Sequence, residues 1–191
     1  QLLRERVPVR DLTTILEAIA DAATATKDPD AMTESVRSAL GRAICRQYQT
    51  DRGELPTISL APTLEERLMR SIVRTDQGAV LALDPSEAQN MASKIARALE
   101  QAVAQPVLLC TPALRPHLWR LFSRVLPQIG VLSHNEVPTH VRVAPIAVLV
   151  AVLVVGAEQV EPEVPLRIVP DGVDVVGIVL RVVVLDEQRR A

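Results

Sequence analysis

Leu12, Ile15, Leu16 and Ile19 recur at the spacing that puts side chains on one face of an α-helix, and Asp11 stands just before them. The pattern predicts a helix from Asp11 to about Thr24. Asp28-Pro29 is a second start signal, an acidic cap followed by proline at the first helical position. Met32, Val36, Ala39, Leu40, Ala43 and Ile44 then make one apolar stripe, with Arg37, Arg42 and Arg46 largely off it. Two helices joined by a short polar link form a helical hairpin. The polar stretch QTDRGELP (49–56), with its Gly and Pro, reads as a linker.

A different rhythm begins at Thr57. TISL (57–60), AVLAL (79–83), PVLLC (106–110) and IGVLS (129–133) read as short strands. PVLLC is apolar on both faces, as an interior strand would be. HVRVA (140–144) alternates and is expected to pair with IGVLS. Between the strands, Pro62 opens a helix with Leu64, Leu68 and Ile72 inward. Asp84-Pro85 opens another that runs to about Ala104. Thr111-Pro112 opens a third through Leu114, Leu118, Leu121, Phe122 and Val125, which Pro127 ends. Alternating strands and helices imply an open sheet covered by helices. The fold class expected is therefore α+β: a helical subdomain (1–55), a small α/β open-sheet subdomain (56–147) and an atypical Val-rich tail (148–191).

The tail breaks with the rest in composition. Residues 141–191 contain no Ser, Thr, Asn, Lys, His, Cys, Met or aromatic residue. Two readings fit: a further β-rich piece, or a coding region read out of frame after about codon 145. The second would make it an aggregation-prone appendage. The longest apolar run, residues 144–157, is shorter than the roughly 20 residues a membrane-spanning helix needs. The chain starts QLLRERV, without an initiator Met or an apolar signal core, and is expected to be a soluble piece of a longer protein.

Composition narrows the chemistry. Hydrophobic residues make up 48% of the chain, yet Trp, Tyr and Phe occur once each, so the core is aliphatic. A net charge of −2 argues against general nucleic-acid binding. Only Lys27 and Lys94 are lysines, and arginine carries the remaining positive charge. Cys45 and Cys110 are too few for a disulfide framework. No C-x-x-C or H-x-x-x-H spacing exists to hold zinc, and no glycine-rich phosphate loop is present. No metal or cofactor is expected.

Ser133-His134-Asn135-Glu136 offers a hydroxyl, an imidazole and a carboxylate within four positions. Neighbours on an extended strand point to opposite faces, so Ser133 and His134 should diverge. Cys110 ends a strand ahead of a helix start, where a thiolate is favoured, but no His is anchored beside it. A hydrolase or thiol enzyme would need Cys110, or Ser133 with His134, to converge in one pocket. Arg115, Arg120 and Arg124 share a helix with Trp119. They read either as a docking surface for an acidic partner or as a solvated basic face. The balance favours a binding or assembly module over an enzyme.

Two long stretches carry a family resemblance. LLRERVPVRDLTTILEAIADAATATKDPDAMTESVRSALGRAICRQY and PVLLCTPALRPHLWRLFSRVLPQIGVLSHNEVP resemble the C-terminal cytoplasmic region of the FlhA family of flagellar export-gate proteins. The likeness covers about residues 1–146. The injectisome export-gate homologues share the first stretch, and the VLSHNEVP ending looks more like the flagellar branch. The resemblance implies the third, helical cytoplasmic subdomain (1–55) and the fourth, α/β one (56–147). It implies a membrane domain elsewhere in the full protein, a nine-membered cytoplasmic ring, and binding of export ATPase stalk components and chaperone–substrate complexes. Membrane contact would come only through the missing N-terminal part, at the bacterial inner membrane. Arg4, Arg10, Asp11, Arg42, Arg115, Pro116, Asn135 and Glu136 match family landmarks, and with Trp119, Arg120 and Arg124 they are the candidate partner or subunit contacts. Arg10 and Asp11 are expected to fix the start of the first helix.

Overall fold

The computed structural model describes residues 1–75 and 78–150, and residues 1–150 make one compact unit. The architecture is α+β. A helical part comes first: α1 (Leu12–Ala25), α2 (Pro29–Ala39) and a short α3 (Gly41–Arg46). Each long helix starts where a cap is available. The Asp11 carboxylate accepts the Thr14 N–H at 3.1 Å and the Thr14 hydroxyl at 2.7 Å, and Asp28 accepts the N–H groups of Asp30 and Ala31. α1 and α2 pack as the expected hairpin.

The second stripe, expected as one helix, is broken at Leu40 into α2 and α3. The break turns the apolar arc. Ala39 and Ala43 face solvent, whereas Val36, Arg37, Leu40 and Ile44 are buried. Leu12 and Leu16, expected inward, are 62% and 64% exposed, and Ile15 alone of α1 is fully buried.

The α/β part is a four-stranded parallel sheet in the order β5-β4-β1-β6. Its members are β1 (Glu54–Leu60), β4 (Val107–Cys110), β5 (Gly130–Ser133) and β6 (Arg142–Leu149). Three helices connect and cover it: α4 (Pro62–Arg70), α5 (Pro85–Gln101) and α6 (Arg115–Phe122). A separate antiparallel hairpin joins β2 (Ile72–Thr75) to β3 (Gly78–Leu81).

Three expectations are corrected here. The apolar pattern from Pro62 does not carry Ile72 into the helix. α4 stops at Arg70, and Ile72 opens β2 opposite Leu81. The linker reading of 49–56 holds only to Gly53, because Glu54, Leu55 and Pro56 are strand residues paired with Arg142, Val143 and Ala144. HVRVA does not pair with IGVLS. Alternation identifies a strand without naming its partner, and β6 lies parallel to β1 on the far side of the sheet from β5. β6 continues past the expected end to Leu149 through a register shift between Pro145 and Ala147. A bulge there lets Pro145, which has no N–H to donate, stay in the strand. The readings of the tail beyond Val150 lie outside the described residues.

β4 is buried at every position, as expected of an interior strand. Strand alternation splits the apolar side chains between the two faces of the sheet. Leu55, Val107, Leu109 and Leu132 join Val7, Ile15, Val36, Leu40, Ile44 and Cys45 in one core. The helical part is thus seated on one face of the sheet and shares its core. Ile58, Leu108 and Val131 alternate with these residues and serve the other face, and α6 packs along β5.

Candidate functional site

Ser133 to Glu136 sit at the end of β5, where the chain turns through a single 3-10 turn (His134–Glu136). The turn is closed by a capping box: the Glu136 carboxylate accepts both the Ser133 N–H and the Ser133 hydroxyl, the latter at 2.9 Å. Ser133 is buried with its proton committed to Glu136, and His134 is exposed. The two do not form a nucleophile–base pair. Cys110 is also buried, its thiol 3.6 Å from the Leu132 carbonyl oxygen. Burial pushes its pKa up, against the partial compensation of Arg115. That is the reverse of thiolate activation.

The turn instead belongs to a buried ionic cluster that spans the two parts of the unit. The other oxygen of Glu136 lies 2.6 Å from Arg37 Nη2. Arg37 Nη1 donates to Glu5 at 2.9 Å, and Nη2 donates to the Val131 carbonyl at 3.2 Å. Arg115, 0% exposed, donates to Glu5 at 2.5 Å and grips Glu34 through Nε at 2.6 Å and through Nη2. Glu5, Glu34 and Arg37 come from the helical part, and Arg115 and Glu136 come from the α/β part.

Three carboxylates face two guanidinium groups, so the cluster carries one excess negative charge. Burial alone would lower the Arg115 pKa, but the hydrogen-bonded Glu34 and the Glu5 charge outweigh it and hold it above its ordinary value. Burial raises the Glu34 pKa, and the hydrogen bonds and charges of Arg115 and Arg37 offset only part of the rise. Glu34 is the cluster carboxylate nearest to solvent, with a side chain 19% exposed.

Backbone closeness reinforces the joint. A Cβ on Gly41 would stand 2.4 Å from the Glu136 carbonyl oxygen, so only glycine lets α3 rest against the turn. The Cys45 thiol donates to that same oxygen at 3.2 Å. Burial and the Glu136 charge push the Cys45 thiol up to about 11.

The candidates drawn from the sequence fall into two groups. Arg115 and Glu136 are interior, which corrects their reading as surface contacts. A partner could not reach them without opening the core. Arg4, Arg10, Asp11, Arg42, Arg120, Arg124 and Asn135 are exposed, and Trp119 is half-buried. Arg120 pairs with Asp30 across the joint, and Asp11 is spent on capping α1. Arg115, Arg120 and Arg124 therefore do not make a shared basic face. Sequence reasoning placed Arg37 off the apolar stripe and passed over Glu5 and Glu34. A signal was present, because Arg37 follows Val36 and precedes Leu40 by three positions, inside the apolar arc.

Residues 1–142 match the FHIPEP family. The chain belongs to that family. FHIPEP relatives include the flagellar biosynthesis protein FlhA of Salmonella typhimurium, 42% identical over 138 residues (71% of this chain and 19% of that protein). FlhA of Bacillus subtilis is 32% identical over 152 residues (78% of this chain and 22% of that protein). The chain thus spans about a fifth of the length of the curated relatives it matches. The fold matches the nonameric SctV-C ring of EPEC with a TM-score of 0.71 at 26% identity, covering 78% of this chain and 45% of that one. It matches CdsV in the Chlamydia pneumoniae CdsV–CdsO complex at 0.66 and 30%, covering 77% and 44%. The structural neighbours are cytoplasmic domains of type III export gates. No helix among the described residues is long and apolar enough to cross a membrane.

Proposed function

We propose that the chain is part of the cytoplasmic docking ring of a flagellar type III protein export gate, at the cytoplasmic face of the bacterial inner membrane. The observation that carries this reading is the FHIPEP match over residues 1–142 on a fold shared with a nonameric ring subunit. In this reading residues 1–55 are the third cytoplasmic subdomain and 56–147 the fourth. The ionic cluster and the shared core join them. Leu12 and Leu16, one turn apart and exposed, with Arg10 and Arg42, offer a contact for a neighbouring subunit. The CdsV–CdsO complex supports docking of a partner protein on this fold. The partners proposed here are export stalk components and, for the whole gate, chaperone–substrate complexes.

The test is a titration of the purified chain against its cognate flagellar stalk protein, with sedimentation at rising concentration. Micromolar binding, about −8 kcal/mol, or concentration-dependent assembly is the expected result. A chain that is folded by circular dichroism yet neither binds nor self-associates would overturn the proposal. The injectisome gate is the second reading, favoured by the structural neighbours, and preference for an injectisome stalk protein would select it.

A further inference from the structure

Residues 1–6 end in a turn of defined type. The Val7 N–H reaches the Leu2 carbonyl at 3.0 Å and the Arg6 N–H reaches the Leu3 carbonyl at 3.2 Å. This is the paired bonding of a Schellman helix end, with Arg6 at the left-handed position that glycine normally fills. Arg6 has φ +56°, the only positive φ among described residues other than glycine. Glycine would hold this backbone without strain, so an arginine here costs stability and its side chain calls for a use.

The side chain borders a cleft of about 290 Å³ between this turn, the end of α3 and the end of α6. Arg4, Arg6 and Arg37 line it together with Tyr48 and Trp119, the single Tyr and single Trp of the chain. Arg4 and Arg6 are exposed and form no ion pair among the described residues. Arg37 is buried, and its Nε–H has no hydrogen-bond partner. Glu5 is the one carboxylate of the lining, and it is already held by Arg37 and Arg115. Gly130 forms part of the wall because a Cβ there would stand 2.7 Å from the Tyr48 ring.

We propose that this cleft binds an acidic peptide segment of a partner protein, with Arg4 and Arg6 pairing its carboxylates and Trp119 and Tyr48 covering its apolar atoms. The charge of the lining selects an anion. Planar guanidinium forks match carboxylates, and arginine beside Trp and Tyr is the composition of peptide-binding hot spots. The volume suits two or three side chains and is too small for a nucleic-acid duplex. The site stands whether or not the chain assembles into a ring.

Trp119 reports on the cleft directly, since no other Trp contributes to the emission. The whole chain would be titrated with the blocked peptide acetyl-Glu-Asp-Glu-Glu-Asp-Glu-amide at low salt, and with its Gln/Asn counterpart, following Trp119 fluorescence. The acidic peptide is expected to change the emission saturably, and the neutral one is not. Arg4→Gln and Arg6→Gly should each weaken binding about fivefold, while Arg97→Gln on the exposed face of α5 leaves it within about twofold. Arg6→Gly separates binding from folding. It relieves the left-handed strain, so the melting temperature should hold or rise while affinity falls. No saturable change in Trp119 emission would overturn the proposal. So would equal weakening by Arg97→Gln, which signals non-specific attraction. A response to phosphatidylglycerol vesicles but not to the peptide would overturn it in favour of a membrane contact.

Discussion

Replacing Arg115 with Met removes the guanidinium that ties α6 to both Glu5 and Glu34 and keeps most of the side-chain volume. Among the described residues, Glu34 loses its only ion-pair partner and Glu5 keeps Arg37 alone. Two carboxylates then face a buried thioether with one cation fewer. Breaking a buried pair from one side costs about 3–5 kcal/mol, because the remaining charge stays desolvated. Typical domains hold about 5–15 kcal/mol in total, so the variant should retain its fold with much of its margin gone. At about 2–4 °C per kcal/mol for a chain of this size, the melting temperature should fall by about 6–20 °C. Urea denaturation followed by far-ultraviolet circular dichroism measures the loss directly. The double variant Arg115→Met with Glu34→Leu removes both partners and should recover at least about 1 kcal/mol. An Arg115→Met variant within about 1 kcal/mol of the wild type would refute the reasoning, since the cluster would then not be holding the two parts together.

The raised pKa of Glu34 sets a sign for pH dependence: the folded state holds this proton more tightly than the unfolded chain, so the stability Glu34 contributes is present below its usual 4.5 and is lost as pH rises through the higher folded value. Urea midpoints from about pH 4 to pH 7 should therefore show wild type losing ground relative to Glu34→Gln, and a gain instead would contradict the argument that burial of this carboxyl outweighs its pairing with Arg115. Gly41→Ala forces a Cβ onto the Glu136 carbonyl and should cost about 1–3 kcal/mol, whereas Gly53→Ala meets no atom within 4 Å and carries only the milder penalty of its positive φ. Thermal melts of the two variants compare these costs. With Cys45 raised to about 11 and Cys110 raised by burial, both thiols should react with Ellman's reagent at least about a hundredfold slower in native protein than in urea. A fast native phase would show that one of them is accessible.

The local pattern determined the helix starts and the α+β class. Asp11, Asp28 and Asp84 cap helices as their positions implied, because capping is settled within three residues of chain. PVLLC is an interior strand because apolar residues at every position leave no face for water. The two motif stretches also marked the FHIPEP family. Only the tertiary structure decided which strand β6 joins, since period-two alternation is the same whatever the partner. Only it turned Leu12 and Leu16 outward and Arg37 inward, because the break at Leu40 and the seating on the sheet choose which part of an apolar arc is covered. Ser133 to Glu136 looked like chemistry because the residue types were adjacent in the chain. The fold places Glu136 against Arg37, ninety-nine positions away, and an ionic joint between distant segments has no periodic signature to read.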